Sequence, residues 1–373
     1  MYAIALLQGM VFYGPIATLY RQAKGVSVFQ ITLIESVSLA LCLLLEFPWG
    51  VLADKIGYKK TLLICNILYF LSKIVFWQAD SFPSFLLERI MLSVIIAGLS
   101  GVDTALLYLS CRKNSQQVFG IYNSMQTAGL LAAAFLFSFT VKNDYGLAAF
   151  LTVVSYGIAA LLTFGLDEAA PPQAGCRTRG IPSLIKRVLA DKRLLLFLIG
   201  IALLNETHQT ITVFLNQLQY VKCGLSSAAI GYIYILVTVF GLCGAFSYRI
   251  TQKTGSAPTA ALLFSVAAIS CILLAFTQSA LLSVLAILAL RIAHSLFQPL
   301  QEELQNRRIT TADRAAALSV NAVIIDSVGA ATNIAFGSLA QRSLPLSLLF
   351  GAALCILGAF LLTYALTAER PTS

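Results

Sequence analysis

The sequence predicts an all-α membrane protein built from twelve transmembrane helices. Hydrophobic residues make up 58% of the 373-residue chain and charged residues only 11%, whereas soluble domains carry roughly 25% charged residues. Apolar stretches of about 20 residues, the length that crosses a bilayer, recur along the whole chain. These stretches are too long for barrel strands, and helices satisfy their own backbone hydrogen bonds, so helices are expected.

Short polar links set the expected bounds of the helices. The first stretch lacks the positive start and the cleavage site of a signal peptide, so we interpret it as helix 1. Gly14-Pro15 in helix 1 and Pro299 in helix 10 are expected to break the backbone hydrogen-bond ladder. The twelve predicted helices cover residues 1–20, 28–49, 61–79, 82–108, 117–140, 146–166, 194–218, 226–248, 256–277, 280–301, 314–340 and 344–366.

The positive charges are distributed unevenly between alternate loops. Of 25 Lys and Arg residues, 17 fall on one side, five on the other and three inside helices, which by the positive-inside rule places both termini in the cytoplasm. This distribution explains the net charge of +9 without a nucleic-acid partner. The expected location is a bacterial inner membrane. The five residues on the outer side are Arg21, Lys24, Lys142, Lys222 and Arg342, and the three inside helices are Lys73, Arg89 and Arg291.

The longest polar link, residues 167–193, divides the chain into two predicted six-helix bundles, 1–166 and 194–373. A weak repeat supports this division, because several residues of the first half recur about 200 positions later. The recurring pairs are Ser27 and Ser226, Ile31 and Ile230, Lys55 and Lys253, Gly57 and Gly255, and Arg89 and Arg291.

The link between helices 2 and 3 carries the motif GVLADKIGYKK. Gly50 permits close helix approach, Gly57 supplies a tight turn, and Lys59 and Lys60 hold the link in the cytoplasm. The motif resembles the loop 2–3 signature of the major facilitator superfamily. This resemblance implies two pseudo-symmetric six-helix bundles, with Asp54 as a conformational latch near Arg314 at the start of helix 11.

Two other segments depart from the family's patterns. The antiporter motif of helix 5 is only half present, because Gly120 and Gly129 fit but Ala133 and Ala134 replace its Gly-Pro. This departure weakens an assignment to proton-driven drug antiporters. The link between helices 8 and 9 has Gln252 where the latch acid would stand, so a second latch is not expected.

Polar stripes on five predicted helices indicate an aqueous substrate cavity, because an ionised group inside the bilayer costs at least ~2.5 kcal/mol unless it faces water or a partner. The family resemblance implies that helices 1, 4, 7 and 10 line the cavity. The residues are Gln8 and Tyr13 on helix 1; Arg89, Ser93, Ser100 and Asp103 on helix 4; Asn205, Glu206, His208, Gln209, Thr212 and Asn216 on helix 7; Arg291, His294 and Gln298 on helix 10; and Ser319, Asp326 and Asn333 on helix 11.

Structural roles remain open for these polar residues. Each could form a hydrogen bond between helices, and Arg291 could pair with Glu206 or Asp326. Helices 6, 9 and 12 are almost wholly apolar and are expected to face lipid. Helix 3 is placed with them, since its one charge, Lys73, lies near the outer end and could snorkel to the interface.

The predicted function is secondary transport of a small molecule by alternating access. A desolvated carboxylate can exchange protons near neutrality, so Glu206, Asp326 or Asp103 is expected to couple transport to a proton gradient. Export of a drug-like molecule or metabolite is the first hypothesis and uptake of a sugar, nucleoside or other nutrient the second. Arg291 and His294 argue against a purely cationic substrate.

Other classes of protein are less consistent with the sequence. Two histidines in the whole chain provide no zinc-protease motif and no nucleophile constellation, so an enzyme is not expected. A receptor with the same fold stays open, because fold does not dictate function. No cofactor, metal or structural disulfide is expected, and the predicted state is a monomer in the lipid bilayer.

Overall fold

We describe a computed structural model, which places residues 1–99, 102, 106–107, 115–141, 144–166, 190–308 and 314–367. Twelve helices in these residues are long and apolar enough to span a membrane. They are α1 Tyr2–Ala23, α2 Val28–Ile56, α3 Tyr58–Gln78, α4 Phe82–Leu99, α5 Ser115–Leu136, α6 Tyr145–Phe164, α7 Lys192–Lys222, α8 Ser227–Gly244, α9 Ser256–Phe276, α10 Ala280–Arg308, α11 Arg314–Arg342 and α12 Leu344–Thr367.

The chain forms two compact units. The first comprises the described residues of Met1–Cys176 together with Ser226–Ile235, and the second those of Arg177–Leu225 and Leu236–Ser373. The helix α8 therefore passes from the first unit into the second after Ile235. Most of the predicted linker, residues 167–189, lies outside the described part of the chain.

The two predicted proline breaks have different outcomes. Helix α1 is interrupted as predicted: it stops at Gly9, and a 3₁₀ turn, Gly14–Ile16, leads into its second half. At Pro299, α10 stays helical on both sides of the proline, which has no N–H to donate to the ladder. A membrane helix tolerates a proline where neighbouring groups satisfy the freed carbonyl.

Side chains of α6 satisfy the backbone groups that the break in α1 exposes. Ser155 donates to the carbonyl of Leu7 and Tyr156 to that of Gln8, each over 2.6 Å. The hydroxyl of Thr152 accepts from the Phe12 N–H at 3.0 Å. Because unpaired backbone groups are costly away from water, these three bonds allow a broken helix inside the first unit.

The two halves of the chain repeat the same turns. Gly57 and Gly255 both adopt positive φ, +93° and +87°, between consecutive helices. In each case a threonine four residues on, Thr61 or Thr259, donates its hydroxyl to the glycine carbonyl, at 2.9 and 2.6 Å. The same local geometry 198 residues apart supports the repeat inferred from single-residue matches, and it explains the glycine of the loop 2–3 motif.

A second repeated turn was missed by the sequence reasoning. Gly25 and Gly224 both have φ near +80° and follow the ends of α1 and α7. The next amide in each case, Val26 or Leu225, donates back to a carbonyl of the preceding helix at 3.0 Å. These are left-handed helix caps that favour glycine.

Helices α1 and α5 lie with their backbones in direct contact. A Cβ added to Gly129 would collide with the carbonyl of Leu6, and one added to Gly9 would collide with that of Gln126. Small residues permit such close packing in membrane proteins. Gly129 belongs to the half of the helix 5 motif that the sequence retains, so its observed role is this α1–α5 contact.

Candidate functional sites

Five charged side chains form a buried cluster in the first unit. This charge cluster consists of Arg21 from α1, Glu35 from α2, Lys73 from α3, and Glu88 and Arg89 from α4. Four helices contribute to it, so it forms only when the bundle assembles. Glu88 is 1% exposed and Lys73 is 4% exposed.

Each carboxylate of the charge cluster contacts two cations. Glu88 lies 3.6 Å from the Lys73 ammonium and 3.9 Å from the Arg21 guanidinium. Glu35 pairs directly with Arg89 and lies 3.9 Å from Arg21. Arg21 therefore joins the two carboxylates into one network.

The charge cluster carries a net charge of +1, since three cations face two carboxylates. Charges ~4 Å apart attract by about 4 kcal/mol at an effective dielectric constant of ~20. Desolvation costs several kcal/mol per buried ion. These terms roughly cancel, so the charge cluster adds little to stability and is better explained by function.

Aromatic rings surround the Lys73 ammonium. Its Nζ lies 5.7, 5.6 and 5.2 Å from the ring centroids of Tyr13, Tyr69 and Tyr156. Nζ also donates to the Tyr13 hydroxyl at 3.0 Å, and the Tyr13 ring stacks on Phe76 at 3.9 Å. Cation–π attraction within about 6 Å helps to offset the lost hydration of the ammonium.

The predicted location of Lys73 was wrong. Its side chain is buried against Glu88, and α3 presents a functional face to the bundle interior. Arg21 was assigned to an outer loop, but it is buried as well. The sequence reasoning did not single out Glu35 or Glu88, although two acids inside apolar segments were a usable signal.

The first unit also contains a polar cavity of 330 Å³ between α1, α3, α4, α5 and α6. This volume lies within the roughly 300–1,000 Å³ range of small-molecule pockets. Amide and phenol groups line it, and the remaining lining residues are apolar. The polar lining residues are Gln8, Asn66, Tyr69, Tyr122, Gln126 and Tyr156.

The chain's two histidines stack face to face in the second unit. The rings of His208 and His294 are 3.8 Å apart with an interplanar angle of 2°. Nη1 of Arg291 lies 3.4 Å from Nε2 of His208. Arginine only donates, so a hydrogen bond here requires an unprotonated Nε2 on His208.

A second polar contact in this unit joins α7 to α11. The Asn333 amide donates to the Glu206 carboxylate at 3.1 Å, and its oxygen accepts from the Thr210 hydroxyl at 2.6 Å. A Cβ added to Gly329 would collide with Glu206. The Glu206 carboxylate therefore occupies the space that the missing side chain of Gly329 leaves on α11.

A π-helical turn, Thr210–Leu215, interrupts α7 immediately after these residues. It shifts the predicted polar stripe, so that Gln209 is exposed whereas Thr212 and Asn216 are buried. The Asn216 amide donates to the carbonyl of Thr212 at 2.7 Å, which satisfies the backbone within the turn. Such π-helical turns occur frequently at functional sites.

The remaining predicted cavity residues are dispersed. Gln8 lines the polar cavity, Tyr13 contacts Lys73, and Arg89 belongs to the charge cluster. Asn205 and Asp326 are half-buried in the second unit. Asp103 lies outside the described residues.

The latch residues are described only in part. Gly50 and Asp54 lie on α2, but their surroundings and the side chain of Arg314 are outside the described part of the structure. Lys59 is half-buried and Lys60 is exposed at the start of α3.

The beginning of α8 packs on the π-helical turn Phe137–Val141 that follows α5 and on the start of α6 within the first unit, forming what we call the α5–α8 seam. The hydroxyls of Tyr145 and Ser227 are 2.8 Å apart, and the rings of Phe139 and Tyr232 meet edge to face at 5.3 Å. A Cβ on Gly231 would collide with the Ser138 hydroxyl. A side chain at position 231 would therefore displace Ser138 from its present place in the seam.

We expect Gly231→Trp to lower transport at least about tenfold while the protein still folds. The indole would hold α8 away from α5, and a change of 1.4 kcal/mol in a conformational step alters a rate tenfold. Flux in liposomes and elution by size exclusion test this. Leu236→Trp is the control, because Leu236 is exposed on the same helix; equal flux in both variants would contradict the role of the seam.

Twelve apolar helices in two units, with ionised groups buried in helical contacts, define the architecture of a polytopic membrane transporter. The family model of the Major Facilitator Superfamily matches residues 1–332. The chain belongs to this superfamily, as the loop 2–3 motif predicted. The transporter prediction is confirmed, and so is the prediction that the chain is not an enzyme.

Two solved transporters share the fold along nearly the whole chain. The nucleoside transporter NupG has a TM-score of 0.83 at 16% identity, covering 98% of each chain. The D-xylose-proton symporter has a TM-score of 0.73 at 16% identity, covering 99% of this chain and 96% of its own. In sequence, the L-fucose-proton symporter of Escherichia coli (strain K12) is 31% identical over 86 residues, which span 23% of this chain and only 20% of the symporter.

Proposed function

We propose that this protein is a proton-coupled symporter that takes up a neutral, hydroxyl-bearing solute such as a sugar or a nucleoside. Transport would proceed by alternating access in a bacterial cytoplasmic membrane. The observation that carries the proposal is the pair of buried carboxylates, Glu35 and Glu88, held by three cations in one unit. Uptake, the second hypothesis drawn from the sequence, is therefore placed before export.

The ion pairs that Glu88 shares with two cations link proton binding to the contacts between helices. If Glu88 takes up a proton, Lys73 and Arg21 lose their common carboxylate, and Arg21 retains only Glu35. The contacts that join α1, α3 and α4 then change in strength. A proton can shift a conformational equilibrium only through such a difference between two states.

The charge of the interior favours a neutral or anionic solute over a cation. The charge cluster has an excess of one positive charge. Export of a weakly cationic drug would bring like charges together. The similar structures named above include a nucleoside transporter and a sugar symporter, which supports uptake of a neutral solute.

Glu88 replaces Glu206, Asp326 and Asp103 as the first choice for the coupling carboxylate. Glu206 accepts a hydrogen bond from Asn333, a neutral partner whose bond does not require a counter-ion. Glu88 has two cations within 3.9 Å, so its protonation weakens two ion pairs at once. Proton coupling in the variants Glu206→Gln, Asp326→Asn and Asp103→Asn is to be compared with coupling in a variant of Glu88.

Purified protein in liposomes that contain a pH-sensitive dye tests coupling and direction together. We expect external sugars or nucleosides to enter and to acidify the interior, with the effect abolished by a protonophore. Alkalinisation during solute entry would indicate antiport. Flux that is indifferent to the proton gradient would leave facilitated diffusion and overturn the proposal.

The symport proposal also includes the membrane orientation of the chain and the conformational latch of the loop 2–3 motif. Both termini are assigned to the cytoplasm by the charge of the loops, and Asp54 is assigned to the latch by the motif. Labelling of single cysteines at the two ends of the chain from one side of the membrane tests the orientation. The protein is proposed to work as a monomer.

A further inference from the structure

The polar cavity and the charge cluster share a wall. Tyr69 and Tyr156 line the cavity, and the same two rings lie within 5.6 Å of the Lys73 ammonium. Their ring centroids are 5.1 Å apart. The same two tyrosines therefore contact both the cavity and the cation that neutralises Glu88.

The lining of the cavity suits water. Gln8 donates to Asn66 at 2.6 Å, and Asn66 donates to Thr163 at 2.7 Å, which leaves a connected series of amides and hydroxyls along one wall. Polar, roomy cavities hold ordered water, and 330 Å³ has space for on the order of ten molecules at ~30 Å³ each.

The cavity lies toward one end of the bundle. Its lining includes Leu62, four positions after Tyr58, the first residue of α3. Asn66 is eight positions into α3 from Tyr58, so the cavity extends into the helix bundle. The end it occupies is the one that carries the loop 2–3 motif.

We propose that the polar cavity is the hydrated chamber that receives the coupling proton from Glu88 on the cytoplasmic side. This inference rests on the proposed symport. Tyr69 and Tyr156 form the barrier between Glu88 and the chamber, and Lys73 is a positioning residue that pairs with the carboxylate once the proton has left.

In this step Glu88 loses one proton, and no other covalent bond of the protein changes. When the Tyr69–Tyr156 barrier opens to water, the O–H bond of the protonated Glu88 carboxyl breaks, and the proton passes to a chamber water, which becomes hydronium and exchanges with the bulk solvent. The resulting carboxylate is neutralised by Lys73 and Arg21, which both stay cationic. The other charged groups of the neighbourhood, Glu35 on α2 and Arg89 on α4, remain paired with each other.

Substitutions that fill the chamber with a larger side chain test whether it receives the coupling proton. Gln126→Trp and Ile96→Trp introduce an indole from α5 and α4 respectively, because both residues line the cavity. We expect each to slow proton-driven solute accumulation about tenfold. Exchange of labelled for unlabelled solute at equal pH needs no proton release, so it is expected to continue at the wild-type rate.

The exchange measurement also shows that the variants fold. Leu136→Trp serves as the control, since this residue is exposed on α5 and does not line the cavity. Wild-type accumulation in both filled variants would overturn the inference. So would loss of exchange in both, because the cavity would then belong to the path of the solute.

Measurements on the wild-type protein distinguish failure of the symport proposal from failure of the chamber proposal. If the wild-type protein exchanges solute but moves no protons, symport itself fails and the chamber fails with it. If the wild type couples solute to protons and the filled variants match it, only the chamber is refuted.

Discussion

Glu88→Gln is expected to abolish accumulation of solute against its gradient and to leave solute exchange in place. The amide cannot carry a proton, so the conformational change is no longer linked to the proton gradient. Accumulation ratios in liposomes with an imposed pH gradient should fall to the level seen without the gradient. Accumulation by Glu88→Gln at the wild-type level would contradict the role of this carboxylate.

The substitution also removes a buried partner, so its effect on stability needs a control. Losing one member of a buried ion pair costs about 3–5 kcal/mol, and the charge cluster would change from +1 to +2. The double variant Glu88→Gln/Lys73→Gln restores +1, since two cations then face one carboxylate. We expect it to recover stability without recovering coupling.

A surface pair provides a further control for charge removal. Glu303 pairs with Arg307 one helical turn away on α10, and both side chains are well exposed. Exposed pairs contribute about 0–1 kcal/mol. Glu303→Gln is therefore expected to leave both stability and accumulation unchanged.

Gly129→Ala is expected to destabilise the first unit by about 1–3 kcal/mol, the usual cost of overpacking. The added methyl group would collide with the carbonyl of Leu6 and lie 3.2 Å from the Cα of Gly9. Both contacts are backbone atoms, so no side-chain rotation can relieve them. Thermal unfolding of the purified protein in detergent measures the loss.

Gly146→Ala is the matched control for this prediction. A Cβ at Gly146 would meet only the Asp144 side chain at 3.5 Å, an ordinary contact. Equal unfolding temperatures for the two variants would show that α1 and α5 can separate at little cost. A large loss only in Gly129→Ala would establish the structural role of the retained half of the helix 5 motif.

The loop 2–3 motif and the glycine turns were accessible from sequence because they are local. The φ of +93° at Gly57 follows from a tight turn between two helices, and the spacing of the motif shows where that turn lies. Its recurrence at Gly255 made the internal repeat visible as a set of matching residues. Local geometry of this kind depends on a few consecutive residues.

Partners of the intramembrane charges were not accessible in this way. Glu35 and Arg89 are 54 positions apart, and their spacing follows no helical period. Lys73 was predicted to reach the interface because the sequence around it shows only an apolar helix. Its actual environment consists of Tyr13, Tyr156 and Glu88, which three other helices supply.

The sequence by itself determined the number of helices, because the transfer free energies of apolar side chains into lipid add up residue by residue along the chain. It also determined the family and the turn at Gly57, because the motif that carries both is a short run of consecutive residues. Only the tertiary structure decided that Lys73 and Arg21 are buried, that His208 stacks on His294, and that Gly129 packs against Leu6. The energy of an ion or a glycine inside a membrane depends on which distant side chains lie within a few ångströms of it.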